Sequence, residues 1–448
     1  MIERQFIKNF TYTTSIYSSI LIPHYRHPKI IMEAEISIFN LNCWGLGLGI
    51  SKDRDERMED IGRYLAEQDY DIVFLQEVWK RANYLTIKNL LTPKFPHSQY
   101  FDHGIIGTGT VIFTKVKINV ATFHEFAVNG YPHKLLHGDW FGGKGLGICQ
   151  IDYLGFNIHL FVSHYHANYS PSNDVYLSHR VVHSVESAHW IKLSSSGADL
   201  TIYAGDLNTE PAEVPYKIVR YVTPLRDAWV EANGEEGGET SETPNNSYTA
   251  RTALRDCPAG RRIDYILYSP GPNIQAETVA CVLPLRDRIP GKNISFSDHE
   301  AVAAKLRVTR KTESPGMTSR DYIRLQSVRD LGEKLECVDQ AKDILRASLK
   351  SAGHRRNFYL LAAALCFLLL ILAFVPVIEY GDYVALDVVL FILRLILVVV
   401  SVYLFLMSVL FFRKECHALR GTLASLEVIT ERGREGMTEI RIDFDPEP

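Results

Sequence analysis

Two apolar runs near the C-terminus constrain this 448-residue chain more than any other feature. Phe358 to Ile378 reads FYLLAAALCFLLLILAFVPVI and carries no charge. Val384 to Phe412 is again apolar, with Asp387 and Arg394 as its only charges. A helix crosses a bilayer with about 20 such residues. One run could be a buried helix of a soluble protein, but two in tandem predict a transmembrane hairpin, with spans at about 358–378 and 388–411. The flanks orient it. Arg355 and Arg356 precede the first run, Arg413 and Lys414 follow the second, and the link Glu379–Tyr383 carries Glu379 and Asp382 without a Lys or Arg. Positive flanks stay cytoplasmic, so both termini are expected in the cytosol of an integral, multi-pass membrane protein. Asp387 can reach the far surface, whereas Arg394, seven residues on and on the same helix face, is expected to turn toward the first helix.

The remainder is read as a cytosolic body. Seven scattered cysteines, odd in number and without CxxC or Cys/His zinc spacing, suit reduced, buried thiols. Residues 1–33 form an N-terminal extension lacking the compact apolar core and cleavage site of a secretory signal. No element or function is assigned to it. Residues 34–310 are the expected catalytic domain and 311–356 an amphipathic helical linker, with Tyr322, Leu325, Val328, Leu331 and Leu335 at helical spacing. The tail, 413–448, repeats the pattern at Leu419, Leu423 and Leu426, so linker and tail could pack together. From Glu33 to Arg307 there are 26 Lys/Arg against 33 Asp/Glu. That acidic balance argues against a nucleic-acid partner, which would call for a basic stripe.

From Ile36 to Val308, short apolar runs alternate with helical patterns, which predicts a layered α/β sandwich. Polar residues end the runs. ISIFNLN stops at Asn42, DIVFLQE at Glu77, HLFVSH at His164, and LTIYAGDLN at Asp206 and Asn208; Asp264 sits within RIDYILY, and Asp298-His299 precedes AVAAKL. Each is ordinary alone. Together they can converge at one sandwich edge without burying charge in the core. The residue types suit phosphodiester hydrolysis: Glu77, with Asn42 beside it, as ligands of a divalent cation; His299, oriented by Asp264, as general base; Asp206 and Asn208 holding nucleophile and phosphate; His164 donating to a phosphate oxygen.

Those residues also carry a resemblance. NLNCW at Asn42, LQE ending at Glu77, GDLN at Asp206–Asn208 and SDH at Ser297–His299 resemble the endonuclease/exonuclease/phosphatase superfamily. FNLNCWGL, GIIGTG, NGYPHKLLHGDWFGGKG, SHYHANY, YLSHRV and SDHEAV, together with the C-terminal hairpin, resemble the eukaryotic neutral sphingomyelinases of the two-transmembrane-helix type. The resemblance spans about Ile36 to Leu306. It implies a four-layer α/β/β/α sandwich of the DNase I-like kind and a phospholipase C-type enzyme using Mg²⁺, with Mn²⁺ as a substitute. The implied substrate is a membrane phospholipid, sphingomyelin, cleaved to ceramide and phosphocholine, with lyso-phosphocholine lipids as further substrates. Glu77 matches the family's metal-ligand glutamate, His299 its catalytic base, and His164 and His166 the two histidines of its THLHAEY segment. The acid of that segment is Asn168 here. GDWFGGKG nearly spells a nucleotide P-loop, but Gly145 replaces the required Ser/Thr, which excludes that reading. In the family, an Asp and a Lys spaced as Asp139 and Lys144 are linked to switching the site on, and Lys144 could contact the substrate phosphate. A nuclease, an inositol-phosphate phosphatase and a non-enzymatic membrane scaffold are the competing readings. No protein partner is assigned.

Overall fold

Alternation along the first strand sets up the layers. Strand β1 (Glu33–Asn42) sends Ile36 and Ile38 into one core and Phe39 and Leu41 into another, as successive side chains of an extended chain must. The structure is a computed structural model describing residues 32–47, 49–134, 137–170, 173–311, 320–375 and 384–444, of which 320–330 and 436–444 are described by backbone alone. The extension through residue 31, the Glu379–Tyr383 link, the side chains of Tyr322, Leu325 and Val328 and the last four residues lie outside it.

The further strands are β2 (Ile72–Gln76), β3 (His97–Tyr100), β4 (Val111–Thr114), β5 (Ile118–Glu125), β6 (Gly145–Tyr153), β7 (Phe156–His164), β8 (Leu200–Asp206), β9 (Arg226–Asp227), β10 (Asp264–Pro270), β11 (Ile274–Val282) and β12 (Val302–Arg310). They form two six-stranded sheets, ordered β11-β12-β1-β2-β4-β3 and β5-β6-β7-β8-β10-β9. Each sheet contains one parallel pair, β1 with β2 and β7 with β8, among antiparallel neighbours. Inward side chains of both sheets, among them Ile38, Phe74, Leu160, Ile202 and Ile266, make the central core.

Helices α1 (Arg54–Glu67) and α2 (Arg81–Leu91) cover the outer face of the first sheet through Met58, Ile61, Leu65 and Ile87. Helices α3 (Leu177–Ser194) and α4 (Val214–Val222) cover the second through Ile191 and Val219. The result is the expected four-layer α/β/β/α sandwich. Two short helices, α5 (Ala228–Asn233) and α6 (Ala253–Asp256), lie in the long β8–β10 connection.

The C-terminal part departs from the expected division. Linker and first apolar run form one continuous helix, α7 (Arg320–Leu372). The second run is α8 (Val384–Leu406), which passes through a π-helical turn, Met407–Phe412, into α9 (Arg413–Phe444). The pairs are antiparallel throughout: Lys342 Nζ donates to Thr430 Oγ1 (3.0 Å), Ser408 Oγ to the Arg356 carbonyl (2.8 Å) and Ser401 Oγ to that of Ala363 (3.3 Å). Val338, Ala341 and Leu345 of α7 and Leu419 and Leu426 of α9 share a core with Val181, Val185 and Val222 of α3 and α4. Linker and tail thus pack together and form a further layer on the sandwich. Beyond that contact, apolar side chains lie uncovered: Phe358 is 66% exposed, Leu361 71% and Phe391 65%. Both helices are long and apolar enough to cross a membrane, and their bare apolar surface suits lipid rather than water. Arg394 turns toward the first helix, donating to the Ala373 carbonyl at its end (2.8 Å).

Candidate active site

Strand register brings the polar run-ends together. In the second sheet His164 lies opposite Asp206, and Asp206 opposite Asp264, a row of three across β7, β8 and β10. In the first sheet Asn42 lies opposite Gln76, with Glu77 next in the chain. His299 precedes β12, antiparallel to β1, and so arrives at the same edge. Close approach here depends on glycine: a Cβ at Gly45 would sit 2.2 Å from the Glu77 carbonyl, and one at Gly205 2.0 Å from that of Ser163.

Asn42 bridges the two rows. Its Nδ2 donates to Glu77 Oε1 (3.1 Å) and to Asp206 Oδ2 (2.9 Å), while its Oδ1 accepts from Trp44 N–H. His299 Nδ1 donates to Asp264 Oδ2 (2.8 Å), and its Nε2 lies 4.0 Å from Asp206 Oδ2. Asn208 donates through its backbone N–H to Asp206 Oδ1 (2.8 Å) and through Nδ2 to the Tyr165 carbonyl (3.0 Å). His164 Nε2 is 3.5 Å from Asp206 Oδ2 and 3.8 Å from Glu77 Oε1. Asp298 adjoins His299, with Ser297 Oγ 3.3 Å from its Oδ1. Three of the six non-glycine residues with positive φ among those described, Trp44, Glu77 and Asn208, flank this site. Such strain costs about 1–3 kcal/mol per residue and persists where surrounding structure imposes it.

Lys144 and Asp139 also arrive. Buried Lys144 places Nζ 2.5 Å from Asp139 Oδ1, 3.2 Å from His164 Nε2 and 2.7 Å from the Tyr165 carbonyl. His166 lies one step further out, Nδ1 3.3 Å from Asp139 Oδ2 and its ring stacked on Tyr176. It touches none of the reacting groups and braces Asp139 instead.

Burial and neighbouring charge set the protonation states. Burial raises the Glu77 carboxyl above the usual range, and nearby Asp298 raises it further. Burial likewise raises Asp298. Asp206 is pushed up to about 7, by burial and then by Asp264. Burial alone would lower His299, but Asp264, Asp298 and Asp206 together hold it well above an ordinary imidazole. Burial and then Lys144 keep His164 neutral, and burial keeps His166 neutral.

Asp206, Asp264 and His299 come within 4.8 Å of one another, close enough to hold a metal ion. Asp264 Oδ2 is engaged by His299 Nδ1 and both Asp206 oxygens accept from asparagines, while Asp264 Oδ1 is buried without a hydrogen-bond partner among the described residues. Glu77, whose carboxyl is pushed upward by burial and by nearby Asp298, is a further candidate ligand for a divalent cation. Asn42 accepts from Trp44 N–H through Oδ1 and orients the Glu77 carboxylate through Nδ2.

Arg57 was not legible in sequence, where it reads as a helix-surface charge. It is fully buried and donates to the carbonyls of Lys52, Cys43, Trp44 and Phe296. It thereby ties the loop after Asn42 to the one before Asp298-His299. Arg57→Met, which strands these carbonyls, is expected to destabilise the protein by about 3 kcal/mol and to lower its thermal unfolding midpoint.

A family model described as the Endonuclease/Exonuclease/phosphatase family matches residues 39–299. The chain is 36% identical over 277 residues to sphingomyelin phosphodiesterase 2 of Homo sapiens, covering 61% of this chain and 64% of that one, so the match spans under two thirds of that relative. It is 30% identical over 295 residues to the inositol phosphosphingolipids phospholipase C of Schizosaccharomyces pombe, covering 61% of this chain and 69% of that one. Among solved structures it is similar to that of SmcL (18% identity, TM-score 0.47, covering 61% of this chain and 99% of that one). The family match takes in every strand-end residue of the site from Asn42 to His299, and on it the chain belongs to the Endonuclease/Exonuclease/phosphatase family.

Proposed function

We propose that this protein is a Mg²⁺-dependent phosphodiesterase that hydrolyses membrane sphingomyelin to ceramide and phosphocholine. The observation that carries the reading is the meeting of the His299–Asp264 pair with Asp206, Asn42 and Glu77 at the sandwich edge from which the hairpin departs. That edge is fixed by geometry. Glu415, at the start of α9, accepts from Tyr131 Oη (2.9 Å) and lies 3.5 Å from His179 Nε2. Tyr131 follows β5 and His179 opens α3, both at the end of the sheet that carries His164. With the hairpin in a membrane, this edge would face the bilayer, where a lipid phosphodiester lies. The relatives named for sphingomyelin and inositol phosphosphingolipid cleavage support the substrate class.

His299 Nε2 would take the proton of the attacking water, with Asp264 fixing the tautomer that leaves Nε2 free. Asp206 and Asn208 would position that water and the phosphate. Lys144 and His164 bring positive charge and a donor to the phosphate oxygens. Glu77, with Asp298 near, would hold the cation, which when bound polarises the phosphoryl oxygen and offsets its developing charge; Mn²⁺ could replace it. Lyso-phosphocholine lipids present the same head group. The purified full chain, assayed with Mg²⁺ on sphingomyelin, lyso-phosphocholine lipids and inositol phosphosphingolipids, tests this. Release of phosphocholine is expected; cleavage of the inositol lipid alone would move the protein to the other relative's chemistry, and cleavage of DNA alone would end the lipid reading.

Orientation follows from the same proposal, with the body and both termini in the cytosol. Tags at Met1 and Pro448 are expected to resist protease outside intact cells and to be cut after plasma-membrane permeabilisation, with a tag in the Glu379–Tyr383 link on the opposite side. Termini on different sides would refute the hairpin.

A further inference from the structure

The loop between β3 and β4 ends on two adjacent branched apolar side chains, Ile105 (68% exposed) and Ile106 (49% exposed). Exposed isoleucines at a loop tip have no solvation advantage, and a pair is uncommon unless something apolar covers it. The tip is held in place. Gly104 bridges to Gly142, Ile106 N–H donates to the Phe141 carbonyl (3.2 Å), and Gly143 N–H donates to that of Gly107 (3.0 Å). The loop is thus clamped to the segment that carries Asp139 and Lys144. It also stands at the active-site edge, because it leads into β4, whose first residue, Val111, pairs with Leu75 near the end of β2.

A continuous apolar path joins this tip to the hairpin. The Phe141 ring meets Trp140 edge-on at 4.9 Å between centroids, and Trp140 meets Phe411 at 5.7 Å. Phe411 belongs to the last turn of the second apolar run, with Arg413 and Lys414 directly after it. Phe411 and Phe412 therefore mark where that helix leaves the hydrocarbon for the head-group region. Ile105 and Ile106 extend the same apolar surface sideways, past Trp140, to the rim of the catalytic site.

We propose that the Ile105–Ile106 tip inserts into the leaflet that the hairpin exits, a third membrane contact that seats the catalytic site on the bilayer surface. The occupant is the bilayer itself, since the patch continues, through Phe141, Trp140 and Phe411, the apolar surface of the hairpin. The inference rests on the membrane-spanning reading of the hairpin and not on the identity of the substrate. Its consequence is selective: the tip assists capture of lipid from a bilayer and contributes nothing to chemistry on a substrate already in water.

The test uses the full chain in phosphocholine vesicles, with single cysteines carrying an environment-sensitive fluorophore at Ile105, Leu154 or Val399 in a background lacking Cys257 and Cys366, the two cysteines that are not buried. Leu154 lies in the β6–β7 turn, at the opposite end of the sheet, and Val399 within the second span. Doxyl-labelled lipids are expected to quench the probes at 105 and 399 and to leave 154 untouched. Quenching at 399 without quenching at 105 overturns the tip insertion; absence of quenching at 399 overturns the hairpin and the insertion with it. Independently, the double variant Ile105→Asp/Ile106→Asp is expected to cut hydrolysis of vesicle sphingomyelin about tenfold or more while leaving hydrolysis of a monomeric short-chain analogue unchanged. An equal loss on both substrates would mean that the tip supports the fold of the site, and would overturn the proposal.

Discussion

His299→Ala is expected to yield a folded protein that stays in the membrane and turns over about a thousandfold more slowly. The imidazole sits where a general base must: Nδ1 engaged by Asp264 at 2.8 Å, Nε2 facing Asp206 at 4.0 Å. No backbone element depends on its ring, and the two apolar helices proposed to enter the membrane are remote in sequence, so folding and lipid binding are expected to survive. The loss should fall on kcat, because the proton is removed in the transition state and not on binding. The pH profile gives the sharper check. The base acts when neutral, so activity rises as pH passes its pKa. Asp264, Asp298 and Asp206 raise that pKa against the opposing effect of burial, so the acidic limb should lie above an ordinary histidine's position. Asp264→Asn removes the largest of these raising charges and should shift the limb toward lower pH while lowering the maximum rate, since the tautomer is then less firmly held. A limb that persists unchanged in residual His299→Ala activity would show that another group titrates there.

The site was legible because strands announce their ends. Asn42, Glu77, His164 and Asp206 each stop an apolar run, and chain order alone places such residues at sheet edges. What sequence could not supply was registry: that Asp264, read as embedded in a run, is the first residue of β10 and stands opposite Asp206, or that Asn42 bonds to both carboxylates across 35 and 164 positions. Arg57 was hidden for the same reason, since its four carbonyl partners come from two loops far apart in sequence, Cys43, Trp44 and Lys52 in one and Phe296 in the other. The hairpin was plain from hydropathy, a local property. The helical layer formed by α7 and α9 was only partly legible: the stripes show that each wants a partner, but not that α3, 11 of whose 18 residues are buried, is covered on its outer side by both. Nor does any local pattern reveal that Glu415 reaches Tyr131, 284 positions away, joining the end of the second apolar run to the edge that carries the candidate site.

Glu77→Gln separates the two contributions of that carboxylate by sign. In the metal-free protein the Glu77 and Asp298 carboxyls, both largely withdrawn from water, are pushed upward, Glu77 also by the charge of Asp298. A carboxyl whose folded-state pKa exceeds its unfolded value destabilises the fold as pH rises through that interval, and the penalty is complete above it. Glutamine keeps the shape, can accept the positive φ already imposed at this position, and removes the charge. The metal-free variant should therefore unfold at the same temperature as the parent or higher at neutral pH. Catalysis moves the opposite way: loss of the ligand should lower activity by at least about a hundredfold at ordinary Mg²⁺, with partial recovery at high concentration. Binding gives the independent measurement. A cation that binds only the folded state raises the unfolding temperature in proportion to its affinity, so Mg²⁺ should stabilise the parent and scarcely affect Glu77→Gln. Asp206→Asn should retain the Mg²⁺-induced shift even while activity falls, because Asp206 is engaged by Asn42 and Asn208. A Glu77→Gln protein with the parent's Mg²⁺-induced shift, paired with an Asp206→Asn protein that has lost it, would move the cation to the cluster of Asp206, Asp264 and His299 and recast His299 as a ligand.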